Sequence, residues 1–207
     1  MSGGAMIVIV DYGVGNVGSV LNMLRKIGAR ARVSGAPGDI ASADKLILPG
    51  IGHFGQGMRK LADTGLIAAL EEHAFSRRKP VLGICLGMQM MTRGSEESDS
   101  PGLGWVDAFT HRFPEATGLR VPHMGWNTVR PAPGAGLFEH DAPEAERFYF
   151  VHSYCVRTAD PRHAAALCQY GSEFVASFEV GNLFGVQFHP EKSHLFGMAL
   201  LRRFNAL

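Results

Sequence analysis

The sequence predicts an α/β protein: an open, mostly parallel sheet flanked by helices, with an antiparallel β-rich extension in the second half. Three observations carry that expectation. Short continuous apolar runs, of which Met6–Val10 (MIVIV) is the first, have strand length and no polar face, as strands buried on both sides do. Stripes of apolar residues at helical spacing separate these runs, which favours parallel strands joined by helical crossovers. From Gly102 to His189 the chain turns to aromatic and β-branched segments divided by tight turns.

In order, Met6–Val10 is the first strand, and Val17–Ile27 follows as a helix with Val17, Val20, Leu21, Leu24 and Ile27 on one face and Gly28 placed to cap it. Ala29–Ser34 reads as the second strand and Lys45–Leu48 as the third, stopped by Pro49-Gly50. Helical patterns cover Gln56 to Ala62 and Leu66 to Arg78. Pro80–Ile84 (PVLGI) is another buried strand, with a helix beginning near Leu86. The order is therefore β-α-β-β-α-β-α. In the second half, Phe148–Val156, Phe174–Val180 and Leu183–Phe188 read as strands, and a helix from Ser193 to Phe204 closes the chain. Residues 1–5 read as a flexible tail and residues 6–207 as a single domain.

With 207 residues, 46% of them hydrophobic and 19% charged, the chain has material for a real core, which excludes general disorder. Twenty basic residues against nineteen acidic ones leave a net charge of +1, and no basic stripe accompanies it. An electrostatic nucleic-acid binder is excluded on that ground. No apolar run approaches the roughly 18–20 residues that cross a bilayer. The three cysteines, Cys85, Cys155 and Cys168, form neither a disulfide framework nor a zinc pair. The expectation is a soluble, reduced, cytoplasmic protein without a structural metal.

Gly13-Val14-Gly15-Asn16-Val17-Gly18 matches the dinucleotide fingerprint GxGxxG between a strand and a helix. In a chain with 26 glycines such a pattern arises by chance about 0.4 times. The acidic residue that should end the second strand is missing as well. A Gly-rich turn with free amides is the plainer reading.

Gly83-Ile84-Cys85-Leu86-Gly87 has more content. A nucleophile on a sharp strand-to-helix turn needs glycines two residues to either side, because the backbone there is strained and closely approached. The turn also sets the sulfur at a helix N-terminus, which favours thiolate, and offers the Leu86 amide to an oxyanion. Cys155 and Cys168 lack that setting and read as core residues. Downstream, Gln187-Phe188-His189-Pro190-Glu191 ends a strand. Alternate residues of an extended segment share a side, so His189 and Glu191 can face one another as a base and its orienter. Cys85, His189 and Glu191 then make a nucleophile–base–orienter set at the carboxyl edge of the sheet.

Gly83–Gly87 followed by Met88-Gln89, with Phe188-His189-Pro190-Glu191, resembles the class I (triad) glutamine amidotransferases. The segments Pro49–Phe54 (PGIGHF), Pro122–Asn127 (PHMGWN) and Tyr149–Tyr154 (YFVHSY) are similar to one branch of that family, the glutaminase subunits of imidazole glycerol phosphate synthases in histidine biosynthesis. The likeness runs over essentially the whole chain after Ala5. It implies hydrolysis of L-glutamine to L-glutamate and ammonia, with no cofactor. It also implies a heterodimer with a cyclase subunit, a (β/α)8 barrel that uses the ammonia to make imidazole glycerol phosphate and an aminoimidazole carboxamide ribotide.

Oxyanion donors would be the Leu86 amide and one from the strip Pro49–Gly52, around Ile51 and Gly52, where Gly50 and Gly52 let a peptide rotate. Gln89, Gly52 and Ser153 would bind the amino-acid end of the substrate. From the residues alone, Trp126 and Tyr149 read as core aromatics. The resemblance instead puts them, with Asn16, on the face that meets the cyclase. His53 and His123 read as structural hydrogen-bonding residues. Two rival readings remain at this point: a triad glutaminase serving another pathway or standing alone as a γ-glutamyl hydrolase, and a dinucleotide-binding regulatory module built on Gly13–Gly18.

Overall fold

In the computed structural model, which describes residues 4–114, 120–139 and 145–207, strands β1 (Met6–Val10), β2 (Arg30–Ser34), β3 (Lys45–Gly50) and β4 (Val81–Cys85) lie parallel in the order β2-β1-β3-β4. Met1, Ser2 and Gly3 of the expected tail lie outside the described residues. The apolar runs behave as their composition requires. Ile7 and Ile9 of β1 face one core, with Leu24 of helix α1 (Val17–Lys26) and Leu200 and Phe204 of helix α6 (His194–Ala206). Val8 and Val10 face the opposite core, with Ile40 of α2 (Pro37–Ser42), Leu61 of α3 (Phe54–Asp63) and Leu70 of α4 (Ile67–Glu71). Each such side chain, wholly buried, stabilises the fold by about 1.5–3 kcal/mol relative to exposure.

Two helical details differ from the expectation. A short helix, α2, separates β2 from β3, started by Pro37, whose fixed φ suits a first helical turn. The helical pattern from Leu66 divides into α4 and a π-helical turn, Glu72–Ser76, that buries His73 and Ala74.

Beyond β4 and its following helix α5 (Leu86–Met90), the sheet gains antiparallel strands. A hairpin, β5 (Gly94–Ser95) and β6 (Ser98–Pro101), leads to β7 (Ala108–Arg112) and β8 (His123–Pro131). The segment expected as one strand over 148–156 breaks at Ser153 into β9 (Arg147–His152) and β10 (Tyr154–Thr158). These pair with different neighbours: β9 with β8, and β10 with β7 and β12 (Ser172–Val180), while β11 (Ala164–Tyr170) bridges β12 and β8. The last strand, β13 (Leu183–Val186), joins the halves. It is antiparallel to β12 across the Gly181-Asn182 turn and parallel to β4 on its other edge. Asn182 fixes that turn by donating to the Ala74 and Lys79 carbonyls at 2.7 and 2.8 Å.

The β8–β9 ribbon sets His123 opposite His152 and Trp126 opposite Tyr149. Trp126 is 46% exposed, so the core reading fails for it; Tyr149 is half-buried beside it, rings 6.3 Å apart. The histidines form a directional chain. His152 Nδ1 lies 2.7 Å from the Tyr154 carbonyl, which can only accept, so His152 Nε2 must accept from His123 Nδ1 at 3.0 Å. His123 Nε2 in turn accepts from Asn127 Nδ2 at 3.3 Å. This is the structural role the sequence suggested for His123. Burial holds both rings neutral, pushing His123 down to about 4 and His152 to about 3.

These depressed values fix the sign of an acid effect. Between the ordinary histidine pKa of about 6.5 and those values, the unfolded chain binds protons that the folded chain refuses, so stability is lost as the pH is lowered. The loss approaches about 1.4 kcal/mol per pH unit for each ring. We expect urea midpoints followed from neutral pH into acid to fall less steeply for His152→Gln than for the wild-type chain. Equal slopes would contradict a neutral, buried pair.

Candidate active site

Strand β4 ends on Cys85, whose φ of 53° and ψ of −109° place a non-glycine residue in a strained region of backbone space. The glycines around it are demanded by backbone contact. A Cβ at Gly83 would sit 2.7 Å from the Met88 nitrogen, and one at Gly87 only 1.8 Å from the Leu48 carbonyl oxygen. The G-x-C-x-G spacing is therefore the steric footprint of α5 folding back over β3 and β4. Leu86 begins α5, so its N–H is among the first-turn donors without a helical partner.

The strip from Pro49 to Gly52 divides its labour differently from the expectation. Gly50 belongs to β3, opposite Cys85, and is needed for close packing, since a Cβ there would lie 2.8 Å from the Gly87 nitrogen. Freedom resides at Gly52, where φ is 88° and an added Cβ would meet nothing within 4 Å. Tyr12 ties down the start of the strip by donating from its buried hydroxyl to the Pro49 carbonyl at 2.7 Å. Burial and the neighbouring Cys85 raise the Tyr12 pKa, so the hydroxyl keeps its proton. The side chain of Ile51 is 43% exposed and lines an adjoining hollow with Gly13 and Lys60, so only its peptide is available to the site. His53 is structural: its Nδ1 accepts from the Gly55 amide and caps α3.

His189 follows β13 in extended conformation, its N–H donating to the Tyr149 carbonyl at 2.9 Å. Its Nδ1 meets Glu191 Oε1 at 2.7 Å, with both side chains 2% exposed. The contact is the expected one, but the route is not strand alternation, because Pro190–Lys192 is a 3-10 turn that swings Glu191 back. With Nδ1 taken, Nε2 is the nitrogen left to interact with Cys85. Burial lowers the His189 pKa, but the hydrogen bonds to Cys85 and Glu191, together with their charges, outweigh it and raise the pKa. For Glu191, burial acts upward, and the bond and charge of His189, with an Asn16 hydrogen bond, prevail and lower the pKa. Cys155 and Cys168 are buried apart from this constellation, and burial pushes their thiols up to about 11 and about 12.

A cavity of about 320 Å³ opens beside the sulfur, lined among others by Cys85, Leu86, Gly52, Gln89 and Ser153. Its size lies at the small-ligand end of binding pockets. The residues expected to bind substrate thus line the same cavity as the thiol. Trp126 and Tyr149 stand outside it on the ribbon. Asn16 does more than the expectation allowed: its Nδ2 donates to Glu191 Oε1 at 3.2 Å, joining the Gly-rich turn to the His189–Glu191 pair. That turn packs on β3, where a Cβ at Gly15 would meet Pro49 at 3.1 Å. Gly18 has nothing within 4 Å of an added Cβ, so the close helix–strand packing that the third glycine of a dinucleotide fingerprint serves is absent there.

Two further residues escaped sequence reasoning. Glu97, at the β5–β6 turn, lines the cavity and accepts from the Phe54 amide at 2.8 Å. Gln187 is fully buried two residues before His189. Its Oε1 accepts from Gln89 Nε2 at 3.0 Å, and its Nε2 donates to Cys85 Sγ at 3.8 Å. The strand period was the available signal: Gly185, Gln187 and His189 alternate with the apolar Phe184, Val186 and Phe188.

A family model described as glutamine amidotransferase class-I matches residues 8–206. The chain is 50% identical over 203 residues to the imidazole glycerol phosphate synthase subunit HisH 2 of Pseudomonas aeruginosa, covering 96% of this chain and 98% of that one. It is 42% identical over 205 residues to the imidazole glycerol phosphate synthase subunit HisH of Bdellovibrio bacteriovorus, covering 98% and 100%. Among solved structures, PurLQS from Thermotoga maritima has the same fold, with a TM-score of 0.72 at 20% identity over 97% of both chains. By sequence and by fold, the chain belongs to the class-I glutamine amidotransferases.

Proposed function

We propose that this chain hydrolyses L-glutamine to L-glutamate and ammonia, in the cytoplasm, as the glutaminase subunit of an imidazole glycerol phosphate synthase in histidine biosynthesis. The observation that carries the chemistry is the meeting of Cys85, which lines a cavity of amino-acid size, with the buried His189–Glu191 pair. The names of relatives matching nearly the whole chain support the pathway.

In this reading the Cys85 sulfur attacks the side-chain amide carbon of glutamine. The negative charge that develops on the amide oxygen is received by the Leu86 N–H and by a peptide N–H from the Ile51–Gly52 strip. His189, held as imidazolium by Glu191, gives its Nε2 proton to the amide nitrogen; the C–N bond breaks and ammonia leaves. Neutral His189 then takes a proton from water, whose oxygen attacks the thioester carbon. The C–S bond breaks, glutamate departs, and the thiolate–imidazolium pair is restored. Gln89, Gly52 and Ser153 hold the amino-acid end of the substrate, and the Glu97 carboxylate complements its ammonium group.

The ammonia passes to a cyclase subunit, a (β/α)8 barrel, bound as a 1:1 heterodimer on the face carrying Asn16, Trp126 and Tyr149. Exposed Met124 and Leu195 beside half-exposed Trp126 support that placement, because grouped apolar surface marks interaction sites. The partner sets the Ile51–Gly52 peptide, which rotates about the unhindered Gly52.

The direct test is a glutaminase assay of the chain with and without its cyclase subunit and the nucleotide substrate. Turnover should rise on binding; a fully active isolated chain would count against partner control of the oxyanion strip. In the complex, Cys85→Ala should abolish glutamine-dependent synthesis while added ammonium still supports it. Glu191→Gln should lower kcat by about 10²- to 10⁴-fold with little change in KM, since it disturbs imidazole orientation and charge. A change confined to KM would contradict the orienting role.

A further inference from the structure

Gln187 presents an arrangement that packing does not explain. Its side chain is wholly buried, where an amide is costly unless its hydrogen bonds are made. The bonds it makes reach both halves of the site. Gln89 spends its N–H donors inward, on the Tyr154 carbonyl at 3.2 Å and on Gln187 Oε1 at 3.0 Å. Because the Tyr154 carbonyl can only accept, this proton count fixes the flip of the Gln89 amide and leaves Gln89 Oε1 as the atom free for the cavity that Gln89 lines. With its own Oε1 engaged as acceptor, Gln187 turns its Nε2 to Cys85 Sγ at 3.8 Å. The sulfur is therefore approached by the Gln187 amide as well as by His189, two residues further along the chain.

We propose that Gln187 is a positioning residue with two separable tasks: its N–H group stabilises negative charge on the Cys85 sulfur and holds it toward the cavity, and its carbonyl oxygen fixes the orientation in which Gln89 meets the substrate. The proposal rests on Cys85 being the nucleophile of glutamine hydrolysis. It makes the glutamine before the histidine part of the site, coupling the substrate-holding amide to the nucleophile through a single side chain.

Two substitutions separate the tasks. Gln187→Glu keeps an acceptor for Gln89 but replaces the donor to sulfur with a carboxylate. Gln187→Met keeps the bulk and removes both. Each full-length variant, bound to the cyclase subunit, is assayed for glutamine kcat and KM. Iodoacetamide alkylation of the Cys85 peptide is followed against pH by mass spectrometry, and thermal melts verify folding. For Gln187→Glu we expect KM within about threefold of wild type, kcat down about tenfold or more, and the alkylation midpoint moved up by about one pH unit, since a like charge disfavours thiolate. For Gln187→Met we expect KM to rise as well. Unchanged alkylation profiles in both variants, whatever happens to kcat, would reduce Gln187 to a core filler and overturn the proposal. If Cys85→Ala still hydrolyses glutamine, the underlying reading fails instead, and the two failures are thereby distinguished.

Discussion

The Leu48 carbonyl oxygen and the backbone of Gly87 approach so closely that no side chain fits between them. This contact lets α5 start directly at the end of β4 and fold over β3, and it leaves Cys85 at the corner with positive φ. Gly83 meets the same helix from the strand side, and Gly50 meets it from the neighbouring strand. Three glycines on three elements thus define one steric seam. The thiol stands at the edge of the sheet because the backbone on every other side is occupied. A strained residue persists only when its surroundings over-determine it, and here the surroundings are main chain, which cannot relax by changing a rotamer.

The two halves of the chain contribute unlike parts to that edge. The parallel half, rigid and buried on both faces, holds the sulfur. The antiparallel half delivers His189, Glu191 and Gln187 from the end of β13, and the cavity wall from the β9–β10 break. β13 is the element through which they meet, since it pairs in parallel with the strand bearing Cys85 and antiparallel with β12. The register Val186↔Ile84 puts Gln187 one step past the last pair on β13, as Cys85 is on β4, and His189 follows two residues later. Asn182 pins the hairpin feeding β13 to the segment just before β4, so the relative height of the two strands is fixed from behind the site.

How much of this could be read from the sequence follows from which residues carry a local signal. The buried strands announced themselves as uninterrupted apolar runs, and the elbow did so because its glycines are sterically compulsory. Those parts needed no tertiary knowledge. Glu191 was found for an incomplete reason: strand alternation suggested the contact, whereas a 3-10 turn makes it. Trp126 looked like core because aromatic area favours burial, and nothing local distinguishes a ribbon with one free face. Glu97 was hidden in a run of serines and acids that reads as an ordinary loop until the β5–β6 hairpin folds it over α3. Gln187 was masked by its apolar neighbours, although its place on the His189 side of the strand was a usable clue. The failures share a cause: each depends on a partner distant in the chain.

The unequal placement of the three sulfurs has a practical side. Cys155 and Cys168 are buried, with their protons held tightly by that burial, while Cys85 stands beside His189 at the substrate-sized cavity. Toward a small electrophile, a polypeptide with three thiols therefore behaves as though it had one. Reagent consumed counts molecules whose site is assembled, and a rise above one equivalent reports that the fold itself has opened.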